Sequence, residues 1–216
     1  MSGDTWSVVE STNLPATRRA DGLENLHHLY DGGDLWVFGY GSLMWRPGFL
    51  HLEAHTALIR GVHRAPCVIS HRHRGSWERP GVVMGLDAGG SCKGMAYRVA
   101  SSDAIEVLDY LHDREMGGYD VYKPAKRPVQ ILTANPALSE GGYRNVPALC
   151  FVVDRHHAQY AGGLSYPELV AHIRQGVGEG GTCIDYLANT VRHLDELGIA
   201  DGPIHRLFEA VSNEAE

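Results

Sequence analysis

Short runs of β-forming residues follow one another between residues 35 and 99 with no helical pattern between them, and this feature constrains the fold most strongly. A doubly wound α/β sheet alternates strands with helices, so this succession argues against that architecture. The predicted strands are LWVF (35–38), TALIRGVHR (56–64), PCVIS (66–70), GVVMGL (81–86) and KGMAYRV (93–99). The glycines of DAGGS (87–91) predict a hairpin between the last two of them.

The second half of the chain has mainly helical patterns. A helix is predicted to begin at Asp103, where Glu106 three positions later would complete a capping box, and to stop at Gly117 and Gly118. Further segments are two strands at 127–133 and 146–153 and three helices at 166–177, 183–198 and 203–211. Gly198 followed by Ile199 suits a glycine C-cap with a hydrophobic contact.

A strand-rich core with helices added late predicts an α+β fold. The chain has 216 residues, of which 44% are hydrophobic, and this is enough for one well-packed domain. We assign that domain to residues 35–216. Residues 1–34 are polar, with one short helical candidate at 23–30, and we expect them to form an N-terminal arm.

The charge balance points to a small ligand. A net charge of −7 and a pI near 6.0 argue against the basic surface that binding to nucleic acid or to an acidic membrane requires. No secretory signal pattern and no apolar stretch of membrane-spanning length is visible, so a cytoplasmic location is expected. The oligomeric state is left open.

Neither the cysteines nor the histidines suggest a metal site. The four cysteines are scattered without a CxxC pair, which predicts reduced, mostly buried thiols. His71 and His73 lie close together in HRHRG, but HExxH spacing is absent. We therefore expect no metal, and a metal-dependent hydrolase built on these two histidines is the remotest alternative.

The segment FGYGSL, residues 38–43, is the first candidate for a ligand site. It lacks the spacing of a GxSxG nucleophile elbow, of a dinucleotide-binding loop and of a P-loop. Glycines at the end of a strand can expose backbone N–H groups to an anionic or carbonyl oxygen, and Ser42 adds a hydroxyl. The alternative is a glycine bulge or tight turn with no ligand.

Glu115 is the second candidate. It continues the helical spacing of the apolar residues Ala104, Leu108 and Leu111, which places a carboxylate on a buried face in the last turn. Burial and the negative end of the helix dipole both raise a carboxyl pKa, as a general acid/base requires. The alternative is a solvated helix end at which Glu115 pairs with a nearby base: Arg114, Lys123 or Arg127.

The stretch HRGSWERPGVV contains two arginines, Arg74 and Arg79, that could hold a substrate carboxylate. Arginines in a loop are more often simply solvated, and the stretch alone does not decide between these interpretations. Together with VFGYGSLMWRPGF, AYRV, YLHDREMGGY and IDYLANTVRHLDELGI, however, it forms an ordered set of motifs. From about Trp36 to Leu207, the sequence resembles the ChaC family of γ-glutamylcyclotransferases.

This resemblance implies a small mixed β-barrel with flanking helices, the γ-glutamylcyclotransferase-like fold, and an enzyme without cofactor. The implied substrate is a small γ-glutamyl compound, typically glutathione. The α-amine of its γ-glutamyl group attacks the δ-carbonyl of the same group, which releases 5-oxoproline and Cys-Gly. Two alternatives remain: a cyclotransferase for other γ-glutamyl amines or dipeptides, and a non-catalytic γ-glutamyl-binding module.

The resemblance also implies roles for individual residues. Glu115 corresponds to the catalytic acid/base. The substrate-binding loop corresponds to Phe38, Gly39, Tyr40, Gly41, Ser42 and Leu43. Ser42, Arg74 and Tyr119 are further expected substrate contacts, on the basis of their closeness to the motifs. Two positions depart from the family pattern, since Met116 replaces a common lysine and Cys183 a common asparagine, and both affect the expected preference for glutathione.

Overall fold

The structure is a computed structural model that describes residues 26–117, 119–132 and 142–213. Its centre is a closed five-stranded barrel in the order β1-β3-β2-β4-β5. The strands are β1 (Leu35–Gly39), β2 (Glu53–Ser70), β3 (Gly81–Val99), β4 (Tyr122–Leu132) and β5 (Tyr143–Val153). β1 closes the barrel by pairing parallel with β5, while its pairing with β3 is antiparallel, so the sheet is mixed.

The described residues also form four α-helices. They are α1 (Ala104–Leu111), α2 (Tyr166–Gln175), α3 (Cys183–Glu196) and α4 (Gly202–Ser212), and a small hairpin of β6 (Val177–Gly178) and β7 (Gly181–Thr182) joins α2 to α3. The α+β prediction and the three late helices are confirmed. The C-cap at Gly198 is confirmed as well, because Gly198 has φ +63° and Ile199 donates to the Leu194 carbonyl.

The predicted break between residues 64 and 66 is wrong, because β2 runs through Pro66 without interruption. Its register against β3 shifts between Arg60 and Val62 and again between Pro66 and Val68. Such bulges bend a strand around a barrel and accommodate a proline, which cannot donate to the ladder.

The predicted DAGGS hairpin is also wrong. β3 continues through residues 87–91, and both of its halves pair with β2. Gly89 and Gly90 have φ of +95° and +70°, and Gly61 on the facing strand has φ +82°. These glycines therefore bend the two paired strands together instead of reversing the chain.

The predicted capping box at Asp103 is wrong too. Asp103 itself has α-region backbone angles and makes no side-chain cap; its carboxylate accepts a hydrogen bond from the Ser102 hydroxyl. A capping box occurs instead at the start of α2, where Glu168 accepts from the backbone N–H of Ser165 at 2.8 Å. Beyond α1 the chain forms a π turn, His112–Met116, up to Gly117; Gly118 lies outside the described residues.

The described part of the expected N-terminal arm is residues 26–34. It contains a 3₁₀ helix, Leu26–Leu29, in place of the longer helical candidate, whose first three residues lie outside the described part. Leu26 is 1% exposed and belongs to the core. The core otherwise fills the barrel and the space between the barrel and the helices, and the largest fully buried side chains include Phe38, Phe151 and Leu108.

Candidate active site

A pocket of about 320 Å³ opens at one end of the barrel, where β1 leaves the sheet. We divide its lining into two sides. The loop side comes from the segment after β1, from α1 and from the π turn; it consists of Tyr40, Gly41, Ser42, Leu43, Trp45, Arg46, Tyr110, Arg114 and Glu115. The hairpin side comes from the segment after β2, the segment before β4, the β6–β7 hairpin and α3; it consists of His73, Arg74, Tyr119, Gly180 and Tyr186. Val83, Met84 and Tyr122 form the floor between them.

The predicted glycine loop contributes four residues to this lining. β1 ends at Gly39, and Ser42–Met44 form a 3₁₀ turn directly after it. A Cβ atom on Gly41 would lie 3.0 Å from the Tyr186 hydroxyl, so the absence of a side chain lets α3 approach the loop. The first N–H groups of such a turn have no partner within the turn, and they are available to a ligand.

Phe38 and Gly39 do not line the pocket. Phe38 is fully buried, and its ring lies beside Gly94 of β3. A Cβ atom on Gly39 would lie 2.9 Å from the Cβ atom of Leu43, so Gly39 permits the chain to fold tightly into the turn. The structure therefore brings Tyr40, Gly41, Ser42 and Leu43 together with Glu115 and places Phe38 and Gly39 behind them.

Glu115 lies in the π turn and lines the pocket with its side chain 18% exposed. Burial raises its pKa, and the nearby Arg114 guanidinium opposes that effect without cancelling it. The Arg114 Nε atom lies 3.0 Å from Glu115 Oε1. Both interpretations of the sequence thus hold in part: the carboxylate is largely buried, and it pairs with Arg114.

The sequence did not single out Arg114 as a site residue, yet its side chain connects the glycine loop with Glu115. Its Nη2 donates to the Ser42 hydroxyl at 3.0 Å, and its Nη1 donates to the Tyr110 hydroxyl at 2.7 Å and to the Pro47 carbonyl at 3.1 Å. The guanidinium therefore sets the distance between the glycine loop and Glu115. The feature of the sequence that could have indicated Arg114 is its position directly before Glu115.

Four tyrosine rings surround the Glu115 carboxylate, namely Tyr40, Tyr119, Tyr122 and Tyr186. Burial raises the pKa of all four phenols, and the negative charge of Glu115 adds to the effect. The rings are therefore neutral at physiological pH, and three of their hydroxyls bond backbone groups: Phe151 O, Met84 O and Met84 N. Apart from the Arg114 guanidinium, the carboxylate thus has neutral aromatic neighbours.

The hairpin side carries Arg74. Its guanidinium lies 5.4 Å from the centre of the Tyr186 ring, and Nη1 donates to the Thr182 carbonyl at 3.2 Å. His73 stacks on Tyr119 with ring centres 5.5 Å apart, and burial together with the charge of Arg72 lowers its pKa, so it is neutral at pH 7. Arg79, the other predicted clamp, is exposed and does not line the pocket.

Glycines of the β6–β7 hairpin hold the segment that carries Arg74. A Cβ atom on Gly178 would lie 2.2 Å from the Arg72 carbonyl oxygen, and one on Gly180 would lie 3.0 Å from the His73 carbonyl oxygen. Gly180 also donates its N–H to that His73 oxygen at 2.9 Å. This close backbone contact, which the sequence did not suggest, fixes the position of Arg74 over the pocket.

The two departures from the expected motifs lie beside the pocket. Met116 ends the π turn and packs against the core. Cys183 is fully buried at the start of α3, where its thiol donates to the Val82 carbonyl at 2.9 Å. All four cysteines are free and buried, as predicted, and burial raises the pKa of the Cys183 thiol to about 11.

His71 and His73 stack on different rings, those of Trp77 and Tyr119 respectively. Throughout the described residues, no group of three or more His, Cys, Asp or Glu side chains could hold a metal ion. In the same part of the chain, no helix is both long enough and apolar enough to span a membrane.

Comparison with known proteins gives consistent matches. The model of the family described as ChaC-like protein matches residues 35–214. The glutathione-specific γ-glutamylcyclotransferase of Escherichia coli strain K12 is 32% identical over 95% of this chain and 85% of that protein. Glutathione-specific γ-glutamylcyclotransferase 1 of Rattus norvegicus is 37% identical over 59% of this chain and 61% of the rat protein.

The fold is matched by a solved structure as well. The crystal structure of a yeast γ-glutamyl cyclotransferase specific to glutathione superimposes with a TM-score of 0.74, at 22% identity, over 83% of this chain and 96% of the yeast chain. The barrel with flanking helices is therefore the γ-glutamylcyclotransferase fold. Since both the family match and the bacterial relative extend over most of the chain, this protein belongs to the ChaC-like family.

Proposed function

We propose that this protein is a γ-glutamylcyclotransferase that converts glutathione to 5-oxoproline and Cys-Gly, with Glu115 as general acid/base. The observation that carries the proposal is the position of Glu115, a largely buried carboxylate with a raised pKa that lines the same small pocket as the glycine loop. The names of the bacterial and rat relatives support glutathione as the substrate.

Glu115 has two tasks in this reaction. The α-ammonium of the substrate must lose a proton before its nitrogen can attack. Transfer of a proton from a group with a pKa of about 8 to an ordinary glutamate with a pKa of about 4.3 costs about 5 kcal/mol. The raised pKa of Glu115 reduces that cost. After the amine has attacked the δ-carbonyl, the protonated Glu115 gives its proton to the departing nitrogen as the peptide bond breaks. The carboxylate that this regenerates accepts the second proton from the ring nitrogen and passes it to the released amine or to solvent.

The loop side orients the reacting groups. Nucleophile and carbonyl belong to one molecule, so holding the γ-glutamyl group in a curled conformation supplies most of the acceleration. We place the γ-glutamyl oxygens against the N–H groups of Gly41, Ser42 and Leu43, where the δ-carbonyl oxygen would be stabilised as it becomes an oxyanion. The Ser42 hydroxyl accepts from Arg114 and keeps its own proton for the substrate.

The hairpin side binds the rest of the substrate. Glutathione carries a second carboxylate on its glycine, and this part leaves as Cys-Gly. Arg74 faces the pocket and pairs with no carboxylate among the described residues. We therefore place the glycine carboxylate on Arg74, an ion pair that an Arg fork makes with good geometry.

The test is mass-spectrometric detection of 5-oxoproline and Cys-Gly from purified protein incubated with glutathione, beside Glu115→Gln. The glutamine variant keeps the shape of the side chain but accepts no proton, so we expect turnover to fall by about 10³-fold or more. Normal turnover by Glu115→Gln would refute the role of Glu115.

Two alternatives have their own outcomes in the same experiment. Faster release of 5-oxoproline from γ-glutamyl-alanine than from glutathione would indicate a cyclotransferase for other γ-glutamyl compounds. Tight binding of glutathione with no product from either substrate would indicate a binding module. We favour catalysis because binding alone does not require a carboxylate with a raised pKa.

A further inference from the structure

Arg64 is a buried cation directly behind the glycine loop. Its side chain is 2% exposed and lies on β2, on the same inward face as Val62. Three different nitrogens of the guanidinium bond three different oxygens: Nε donates to Tyr40 O at 2.6 Å, Nη2 donates to Lys93 O at 2.6 Å, and Nη1 pairs with Asp201 Oδ2 at 2.8 Å. Burying a charge is costly, so this arrangement calls for an explanation beyond packing.

The contact with Tyr40 is the informative one. The pairing of β1 with β3 ends at Gly39, so the Tyr40 carbonyl has left the sheet, and Arg64 supplies its hydrogen bond. All peptide bonds of the described residues are trans, and in a trans peptide the C=O and the following N–H point in opposite directions. Arg64 holds the Tyr40 oxygen on the buried side, while Gly41 lines the pocket.

We propose that Arg64 is a positioning residue that locks the Tyr40–Gly41 peptide so that the Gly41 N–H faces the bound γ-glutamyl group. If this peptide rotated by half a turn, the Tyr40 oxygen would face the pocket and repel an oxyanion there. Gly41 is the residue most able to rotate, since it has no Cβ. The inference rests on the proposed cyclotransferase function and names a residue that acts through the loop without touching substrate.

Asp201 provides a matched control. It belongs to the same buried ion pair, at the start of α4, but it bonds Arg64 through Nη1 and, among the described residues, has no hydrogen bond to the loop. Asp201→Asn therefore weakens the pair and leaves the Nε contact with Tyr40 in place. Arg64→Lys keeps the charge, but its single nitrogen cannot reach all three oxygens that the guanidinium bonds.

The experiment compares wild type, Arg64→Lys and Asp201→Asn by turnover of glutathione, by thermal unfolding and by NMR. Three-bond scalar couplings between the Gly41 N–H proton and its two Hα protons report φ of Gly41, which is −125° here and which a half-turn of the Tyr40–Gly41 peptide would change, and they need no ligand. We expect Arg64→Lys to lower kcat by about 100-fold with KM changed by less than about threefold, and to alter the Gly41 coupling. Asp201→Asn should lower Tm but keep kcat within about threefold and keep the wild-type coupling.

If Arg64→Lys does not fold, the double variant Arg64→Met with Asp201→Asn removes both charges and serves in its place. The proposal is overturned if the Arg64 variant keeps the wild-type Gly41 coupling, or if kcat falls in step with Tm in both variants. Absence of 5-oxoproline from wild type would overturn the proposed function instead, and the coupling would still decide whether Arg64 sets the direction of the Gly41 N–H.

Discussion

The two sides of the pocket use their arginines differently. On the loop side, Arg114 is saturated with protein partners, which include the Ser42 hydroxyl, the Tyr110 hydroxyl and the Glu115 carboxylate. On the hairpin side, within the described residues, the Arg74 side chain makes one hydrogen bond, to a backbone carbonyl, and lies over an aromatic ring. A guanidinium whose donors are bonded to protein groups fixes the positions of those groups, whereas one with unpaired donors can bind a ligand. Substitution of the two arginines should therefore change different kinetic parameters.

Of the two pocket arginines, Arg114 on the loop side should have the larger effect when it is replaced by glutamine. Without the guanidinium, Ser42 and Glu115 lose their common partner, and a small displacement of reacting groups costs about 100-fold in kcat. The cation also holds the pKa of Glu115 down, so its removal raises that pKa further. The free enzyme needs Glu115 ionised as a base, so the acid limb of the pH profile of kcat/KM should move to higher pH.

Tyr110→Phe is the matched control for this variant. It removes one hydrogen-bond partner of Arg114 and leaves the contacts with Ser42 and Glu115. We expect kcat within about threefold of wild type and an unmoved acid limb, because the net effect of one hydrogen bond is about 1 kcal/mol. If the acid limb of Arg114→Gln itself did not move, Arg114 would not have the role in setting the pKa of Glu115 that distinguishes the loop side from the hairpin side.

On the hairpin side, Arg74→Gln should raise KM for glutathione by about tenfold and leave kcat nearly unchanged, since a lost ion pair of about 1.4 kcal/mol has that effect. With a glutathione analogue esterified at the glycine carboxylate, wild type and variant should have similar KM. Arg79→Gln, an exposed position in the same segment, should change neither parameter. A fall in kcat with unchanged KM would show that Arg74 acts on the chemistry instead.

The smallest effect concerns stability. Because the folded protein raises the pKa of Glu115 above its unfolded value of about 4.3, the folded state binds a proton more tightly, and stability falls as pH rises from that value through the folded pKa. Glu115→Gln has no such loss. Its Tm should match wild type near pH 4 and exceed it by about 2–4 °C at pH 7. Circular dichroism melts across this range test the sign.

The sequence predicted the α+β architecture and most elements, because alternating and helical patterns are local. It failed at residues 64–66 and 87–91, where proline and glycines that ordinarily mark turns serve as bulges between two long paired strands. A pattern within one segment does not reveal that a facing strand bends at the same place, as Gly61 and Gly89 do.

The candidate site was predicted to a similar extent. Glu115 and the loop residues 40–43 were found through their motifs, and the structure places them together. Arg64 was missed because the role that we propose for it depends on contacts with residues distant in sequence, such as Asp201, 137 positions away. Nothing in the local sequence distinguishes an arginine that holds a backbone carbonyl from one that is solvated.

The π turn before Gly117 has a consequence for how this segment can change in length. A π turn accommodates one residue more than a regular helical turn, and each residue of an α-helix is rotated by about 100° from the last. Loss of a single residue between His112 and Arg114 would therefore restore regular helical hydrogen bonding and leave Glu115 on nearly the same face, whereas one more inserted residue would turn it away from the pocket. Over evolutionary time this segment can become shorter by one residue more easily than it can become longer.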